Sequence, residues 1–177
     1  ESMSNKDIAG IVIGYIGGGS REWAMTLFKD LALSRDLEGE IRLYDIDINA
    51  AKANEANACV IFGRQDVDAD FHVRAVAAPE DALRDADFVI ISLEPGPTEL
   101  RYADLEIPRR YGIFQSVGDT VGPGGLLRAL RTVPLMTAYA RLIAENCPDA
   151  AVINYTNPMT LSVSALYAEF PEINAHG

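Results

Sequence analysis

The segment IVIGYIGGGSREWAMTLF, residues 11–28, constrains the fold more than any other part of the chain. A β-branched apolar run ends in three consecutive glycines and a serine, and an amphipathic helical pattern follows at once. A strand that is apolar without interruption suits a parallel sheet covered on both faces. A glycine turn between such a strand and a helix is where a doubly wound sheet seats a phosphate. Gly17 and Gly19 supply the tight turn and the close approach of backbone to pyrophosphate, with free N–H groups at the helix N-terminus facing it. Ser20 either caps the helix or bonds a phosphate oxygen. The third glycine of the G-x-G-x-x-G pattern is replaced by Glu22, which relaxes helix–strand packing at that point.

Apolar runs and amphipathic segments keep alternating downstream. Strands are predicted over 8–16, 40–46, 71–77, 87–93, 150–156 and 172–176. Helices are predicted over 20–34 (Trp23, Leu27 and Leu31 sharing one apolar face), 49–65, a short stretch from Pro79, 98–111, 126–147 and 158–170. Gly39 reads as the residue closing the turn after the first helix. Pro134 either kinks the long helix or divides it in two. Strand–helix alternation with crossovers of this length gives an α/β fold, a doubly wound parallel sheet of Rossmann type. The domain is expected over 8–177, with residues 1–7 disordered or foreign to the natural chain and Met3 a natural start.

Charge narrows the partners. Fifteen basic and 26 acidic residues leave a net charge of −11, the wrong sign for nucleic acid or an anionic membrane. The chain is 49% hydrophobic and 23% charged, as an ordinary soluble domain is, and contains no apolar run of the roughly 18 residues a membrane span needs. Its first residues lack the apolar core of a secretory signal. Cys59 and Cys147 each lie alone in a helical pattern and read as buried thiols of a reducing compartment, so a cytoplasmic location is expected.

Asp45, in LYDID at the end of the second strand, stands 26 residues beyond Gly19, against roughly 20 in the dinucleotide pattern. A carboxylate there accepts both hydroxyls of an adenosine ribose and repels a 2′-phosphate, favouring NAD over NADP. A simple cap is the alternative role, for which Asp47 is better placed. The fourth strand ends in IISLEPGPTEL, bringing Ser92 and Glu94 toward the nicotinamide half of a dinucleotide, unless they are only a polar strand end. The stretch QSVGDTVGPGGLLRALR (115–131) surrounds Asp119 and Thr120 with four glycines, more than a bland loop needs, and flexibility is the competing explanation. VINYTNPMT (152–160) aims Asn157 into the same cleft, while Asn154 reads as a structural hydrogen-bonder.

Taken in order, IGGGS, LYDID, GDTVGPGGLLRALR and VINYTNPMT resemble the N-terminal half of the NAD-dependent family 4 glycoside hydrolases. The likeness is greatest to the branch of α-galacturonidase, α-galactosidase and α-glucosidase type, and runs from about residue 8 to 177. The paired GDTVGPGG and INYTNPM are its specific part. The general plan, including the Asn-Pro after the fifth strand, is shared with lactate and malate dehydrogenases.

The resemblance implies a glycosidase that uses NAD without consuming it, an exception to the two-carboxylate scheme. Hydride leaves C3 of the sugar. The resulting ketone, polarised by a divalent metal, usually Mn²⁺, acidifies the C2 proton. A base removes that proton, the C1 substituent is eliminated, water adds, and the ketone is reduced again. By position, Gly17, Gly19, Ser20 and Asp45 would bind NAD. Asp119 and Asn157 would face a glycoside or uronide, or else only the nicotinamide ribose. The metal-binding cysteine, the metal-binding histidine and the catalytic base of the family follow strands like EINAHG, so all three are expected beyond Gly177, with no metal ligand within this chain. The second domain, through which such enzymes form homo-oligomers, is likewise expected to be absent, and the piece alone inactive. The lack of a Lys/Arg pair in 115–125 favours an unphosphorylated or uronic sugar. Two other readings stand beside this one: a 2-hydroxyacid dehydrogenase relative, for which no suitable catalytic histidine is present, and a stand-alone NAD-binding module.

Overall fold

The structure, a computed structural model, describes residues 10–35 and 37–177. The expected disorder of residues 1–7 and the first three residues expected in a strand, except Gly10, lie outside that range.

Six parallel strands form one sheet in the order β3-β2-β1-β4-β5-β6. They are β1 (Ile11–Ile16), β2 (Glu38–Tyr44), β3 (Asp70–Val76), β4 (Phe88–Ile91), β5 (Ala151–Asn154) and β6 (Asn174–His176). The helices are α1 (Trp23–Ala32), α2 (Ile48–Phe62), α3 (Pro79–Leu83), α4 (Thr98–Arg109), α5 (Gly122–Asn146) and α6 (Met159–Glu169). This is the Rossmann-type plan expected. Strand order reverses between β1 and β4, which opens a crevice at their carboxyl ends.

The alternation of side chains along each strand builds two cores. Ile13 and Tyr15 of β1, with Ile41 and Leu43 of β2 and Ile90 of β4, pack under Ala24 and Phe28 of α1 and Ala51 and Ala58 of α2. Ile16, Val89 and Ile91 project to the opposite face, under Ala82 and Leu83 of α3, Met136, Ala140 and Ile143 of α5, and Leu166 of α6. Burying both faces is what demands continuous apolar strands.

Several boundaries differ from those expected, for identifiable reasons. α1 begins at Trp23, with Glu22 at the N-cap and no side-chain cap, so Ser20 does not cap it. The Ser20 amide donates to the Gly17 carbonyl at 3.0 Å and closes the turn before the helix starts. Gly39 lies inside β2, paired with Ile11, where any Cβ would strike the Ile11 carbonyl. α5 starts at Gly122, four residues early, because Gly124 and Gly125 are buried in its first turns against α4 and Thr120 rather than spent in a loop. Pro134 sits within one continuous helix of 25 residues. Cys147 is buried, as expected, and burial pushes its thiol up to about 11. Cys59, also expected to be buried, is instead exposed, because its position on α2 faces away from the sheet. The Asp47 cap is as expected: its carboxylate accepts from the amides of Asn49 and Ala50.

Candidate functional site: a cleft at the strand-order reversal

At the carboxyl edge of the sheet lies a cleft of about 580 Å³, in the usual range for a small-molecule site. All eight residues singled out in the sequence line it: Gly17, Gly19, Ser20, Asp45, Ser92, Glu94, Asp119 and Asn157. Strands β2, β1, β4 and β5 deliver all of them but Asp119, which lies on the segment leading into α5, the helix that closes the far wall.

The glycine turn is tightly built. Gly17 has φ +88°, and a Cβ there would sit 1.9 Å from the Ser92 carbonyl oxygen, so only glycine fits. The amides expected to be free are largely used within the protein. Those of Gly17 and Gly18 donate to the Tyr44 carbonyl at 2.9 and 2.8 Å, and that of Gly19 donates to Asp45 Oδ2 at 2.9 Å. Unpaired donors instead come one step later, because the amides of Arg21, Glu22 and Trp23 meet no acceptor among the described residues. The first turn of α1 is therefore where an anion would be held.

Asp45 follows β2 directly. Its Oδ1 accepts from the Asp47 amide at 2.9 Å and its Oδ2 from Gly19, which fixes the carboxylate while leaving further lone pairs toward the cleft. Asn54, 5% exposed in the middle of α2, clamps the same turn from below: its Nδ2 donates to the carbonyls of Gly18 at 2.8 Å and Ser20 at 2.9 Å. Sequence reasoning passed over Asn54. The available signal was an amide at a position that helical periodicity turns inward.

Across the reversal, Glu94 is not free. Arg128 of α5 grips both carboxylate oxygens, at 2.6 and 3.2 Å, and donates through Nε to the Asn157 carbonyl at 3.1 Å. Arg101 stands 3.7 Å from the same carboxylate. A second guanidinium, Arg131, pairs with buried Asp104 of α4 at 2.6 and 2.9 Å and donates to the Pro95 carbonyl at 3.1 Å. Together the two arginines tie α5 to the chain leaving β4. The expected nicotinamide neighbour Glu94 is thus first a ligand of Arg128.

Asn157 is exposed and lines the cleft, whereas buried Asn154 closes the local turn, its Oδ1 accepting from the Thr156 amide at 3.1 Å. Asn154 is thus the structural hydrogen-bonder expected, and Asn157 borders the cleft. Thr156 Oγ1 accepts from the Leu93 amide at 2.8 Å and holds the ends of β4 and β5 together. Asp119 is half-buried at the mouth, next to Thr120. Tyr139 lines the wall and Tyr15 lies beneath, and burial pushes each phenol up to about 12. Near neutral pH both phenols are protonated. His72 and His176 are both exposed, on β3 and β6, outside the cleft. The cleft thus offers free amides at the start of α1, a fixed carboxylate, and a polar far end.

Trp23 and Tyr155 also line the cleft, their rings stacked 5.0 Å apart. Helical spacing had placed Trp23 on the apolar face with Leu27 and Leu31, but its ring turns to Tyr155 instead. Among the described residues no group of three or more His, Cys, Asp or Glu is arranged to hold a metal ion. No helix among them is long and apolar enough to cross a membrane.

Comparison with known proteins agrees with this geometry. The model of the family 4 glycosyl hydrolases matches residues 12–177. An alpha-galacturonidase of Thermoanaerobacterium saccharolyticum is 53% identical over 167 residues, 94% of this chain but 36% of that protein. A solved structure of lplD from Bacillus subtilis superposes with TM-score 0.88 at 44% identity, over 94% of this chain and 37% of that one. A 6-phospho-alpha-glucosidase from gut microorganisms, solved with NAD and Mn²⁺, gives 0.76 at 26% identity, over 92% and 36%. The chain therefore spans little more than a third of the relatives it matches. It belongs to glycosyl hydrolase family 4.

Proposed function

We propose that this chain is the NAD-binding part of an NAD- and divalent-metal-dependent glycosidase. The observation that carries the reading is the convergence, in one cleft, of the Gly17–Gly19 turn, the unpaired amides opening α1, and the fixed Asp45 carboxylate. These fit a dinucleotide. The amides would hold its pyrophosphate, Asp45 would accept from the adenosine ribose, and Ser92 would border the nicotinamide ribose. Bound NAD would supply reversible acceptance of hydride from C3 of a sugar, allowing elimination and water addition at the glycosidic bond.

Asp119 and Asn157 would orient the sugar hydroxyls from the far end of the cleft. Arg101, about half-exposed on the wall, suits the carboxylate of a uronide, in keeping with the relatives named alpha-galacturonidase. The described residues do not fit a divalent metal; its ligands and the catalytic base would come from the part of such enzymes that follows this domain. A cytoplasmic location and homo-oligomeric assembly belong to the same proposal.

Calorimetric titration with NAD⁺ and NADP⁺ tests it. NAD⁺ should bind and NADP⁺ should bind at least about tenfold more weakly, through repulsion of the 2′-phosphate by Asp45. Asp45→Ala should weaken NAD⁺ by about 1–3 kcal/mol. No binding, or equal affinity for both dinucleotides, removes the reading.

A further inference from the structure

Trp23 and Tyr155 stand apart from both cores. Their rings are nearly parallel, 20° apart, yet Trp23 is 51% and Tyr155 47% exposed. Neither belongs to either buried cluster. Two large aromatic rings held against each other and half open to solvent cost apolar exposure without filling the interior. They line the cleft at a defined place, because Trp23 is the first residue of α1 and Tyr155 the first residue past β5.

Position across the sheet selects what such a surface would contact. Asp45 follows β2, the glycine turn follows β1, Ser92 follows β4 and Tyr155 follows β5. A dinucleotide with its ribose on Asp45 and its pyrophosphate at α1 has its adenine on the β2 side. Its other half must then extend over β4 and β5, where the stacked pair stands. That half ends in a flat pyridinium ring that is positively charged when oxidised, and aromatic faces attract such rings by stacking and by their quadrupole.

We infer that the Trp23–Tyr155 stack is the wall against which the nicotinamide ring of NAD⁺ rests, an inference that builds on the NAD reading above. It assigns the pair a specificity role: it distinguishes a complete dinucleotide from one lacking its base.

The test compares NAD⁺ with ADP-ribose, which keeps the adenosine, both riboses and the pyrophosphate but has no nicotinamide. In Trp23→Leu and in Tyr155→Leu, NAD⁺ affinity should fall about tenfold while ADP-ribose affinity stays within about twofold of the parent. Unchanged ADP-ribose binding also shows that each variant is folded. Trp23 is the only tryptophan in the chain, so its fluorescence adds an independent readout: NAD⁺ should quench it and ADP-ribose should not. Equal loss for both ligands would make the pair a support of the phosphate turn, and no loss for either would remove it from the cofactor site; each result overturns the inference. If the parent protein binds neither ligand, the NAD reading itself fails, which is a different outcome from a parent that binds both and variants that preserve their ratio.

Discussion

Arg128 and Glu94 form a lopsided ion pair: the guanidinium side chain is 3% exposed and its carboxylate partner 42%. The two ends therefore pay unequal desolvation. Arg128 also holds the Asn157 carbonyl, so one buried cation joins the end of β4 to the turn after β5.

That asymmetry predicts unequal mutational costs. Glu94→Leu strands a buried guanidinium without its counter-charge and should destabilise by about 3 kcal/mol. Arg128→Met removes the charge, fills most of the volume, and leaves Glu94 free to hydrate, so it should cost only about 1–2 kcal/mol. Urea unfolding of the two variants checks the order. A larger loss for Arg128→Met would mean that the Asn157 contact, not the ion pair, dominates.

Gly17 and Gly112 separate steric from conformational requirements. Both have positive φ, but a Cβ at Gly112 would meet nothing within 4 Å, whereas one at Gly17 would collide with the Ser92 carbonyl. Gly112→Ala should cost about 1 kcal/mol, the left-handed penalty alone. Gly17→Ala adds a clash that the turn must move to relieve, for a total of about 3 kcal/mol or more. Thermal melts distinguish the two, and NAD⁺ affinity should fall only in the second.

Glu40 gives the sheet an acid-sensitive tie. Burial pushes its carboxyl up, but hydrogen bonds from Arg42 on the same strand and Arg74 on β3 outweigh this and hold it below its ordinary value of 4.5. A carboxyl with a lowered folded value contributes its full stabilisation above the unfolded value and loses it as pH falls through the folded one. Glu40→Gln should therefore be less stable than the parent by about 1 kcal/mol at pH 7, with the gap closing below about pH 4. Denaturant midpoints measured from pH 7 to pH 3 follow the gap.

The two thiols should behave differently toward an alkylating reagent. Cys59 is exposed on α2, while Cys147 is buried and its thiol is pushed up to about 11. Since the thiolate is the reactive form, iodoacetamide at pH 8 should label Cys59 alone in the native protein and both residues after denaturation. Peptide mass analysis reads the sites directly.

What the sequence made legible was local. The glycine turn and Asp45 are recognisable because each follows a strand whose apolar pattern announces it, and the cleft collects every residue read in that way. Contacts made across the fold were not legible. Arg128 was visible as an arginine on a helix, but its partners lie 34 and 29 residues away and no spacing rule joins them. Asn54 looks like one more polar helical residue until the turn it supports is folded above it. Trp23 satisfied a helical spacing that its ring does not obey. The glycines at 124 and 125 look like loop residues because glycine is a poor helix former, yet close approach to α4 and Thr120 overrides that propensity.

A crystal structure of this protein grown with NAD⁺ would locate each part of the dinucleotide in the cleft. The adenosine ribose should lie on the Asp45 carboxylate, the pyrophosphate at the amides of Arg21 to Trp23, and the nicotinamide beyond β4 on the β5 side. A dinucleotide bound in the reverse direction, one bound away from the glycine turn, or a cleft left empty at saturating NAD⁺ would contradict this placement.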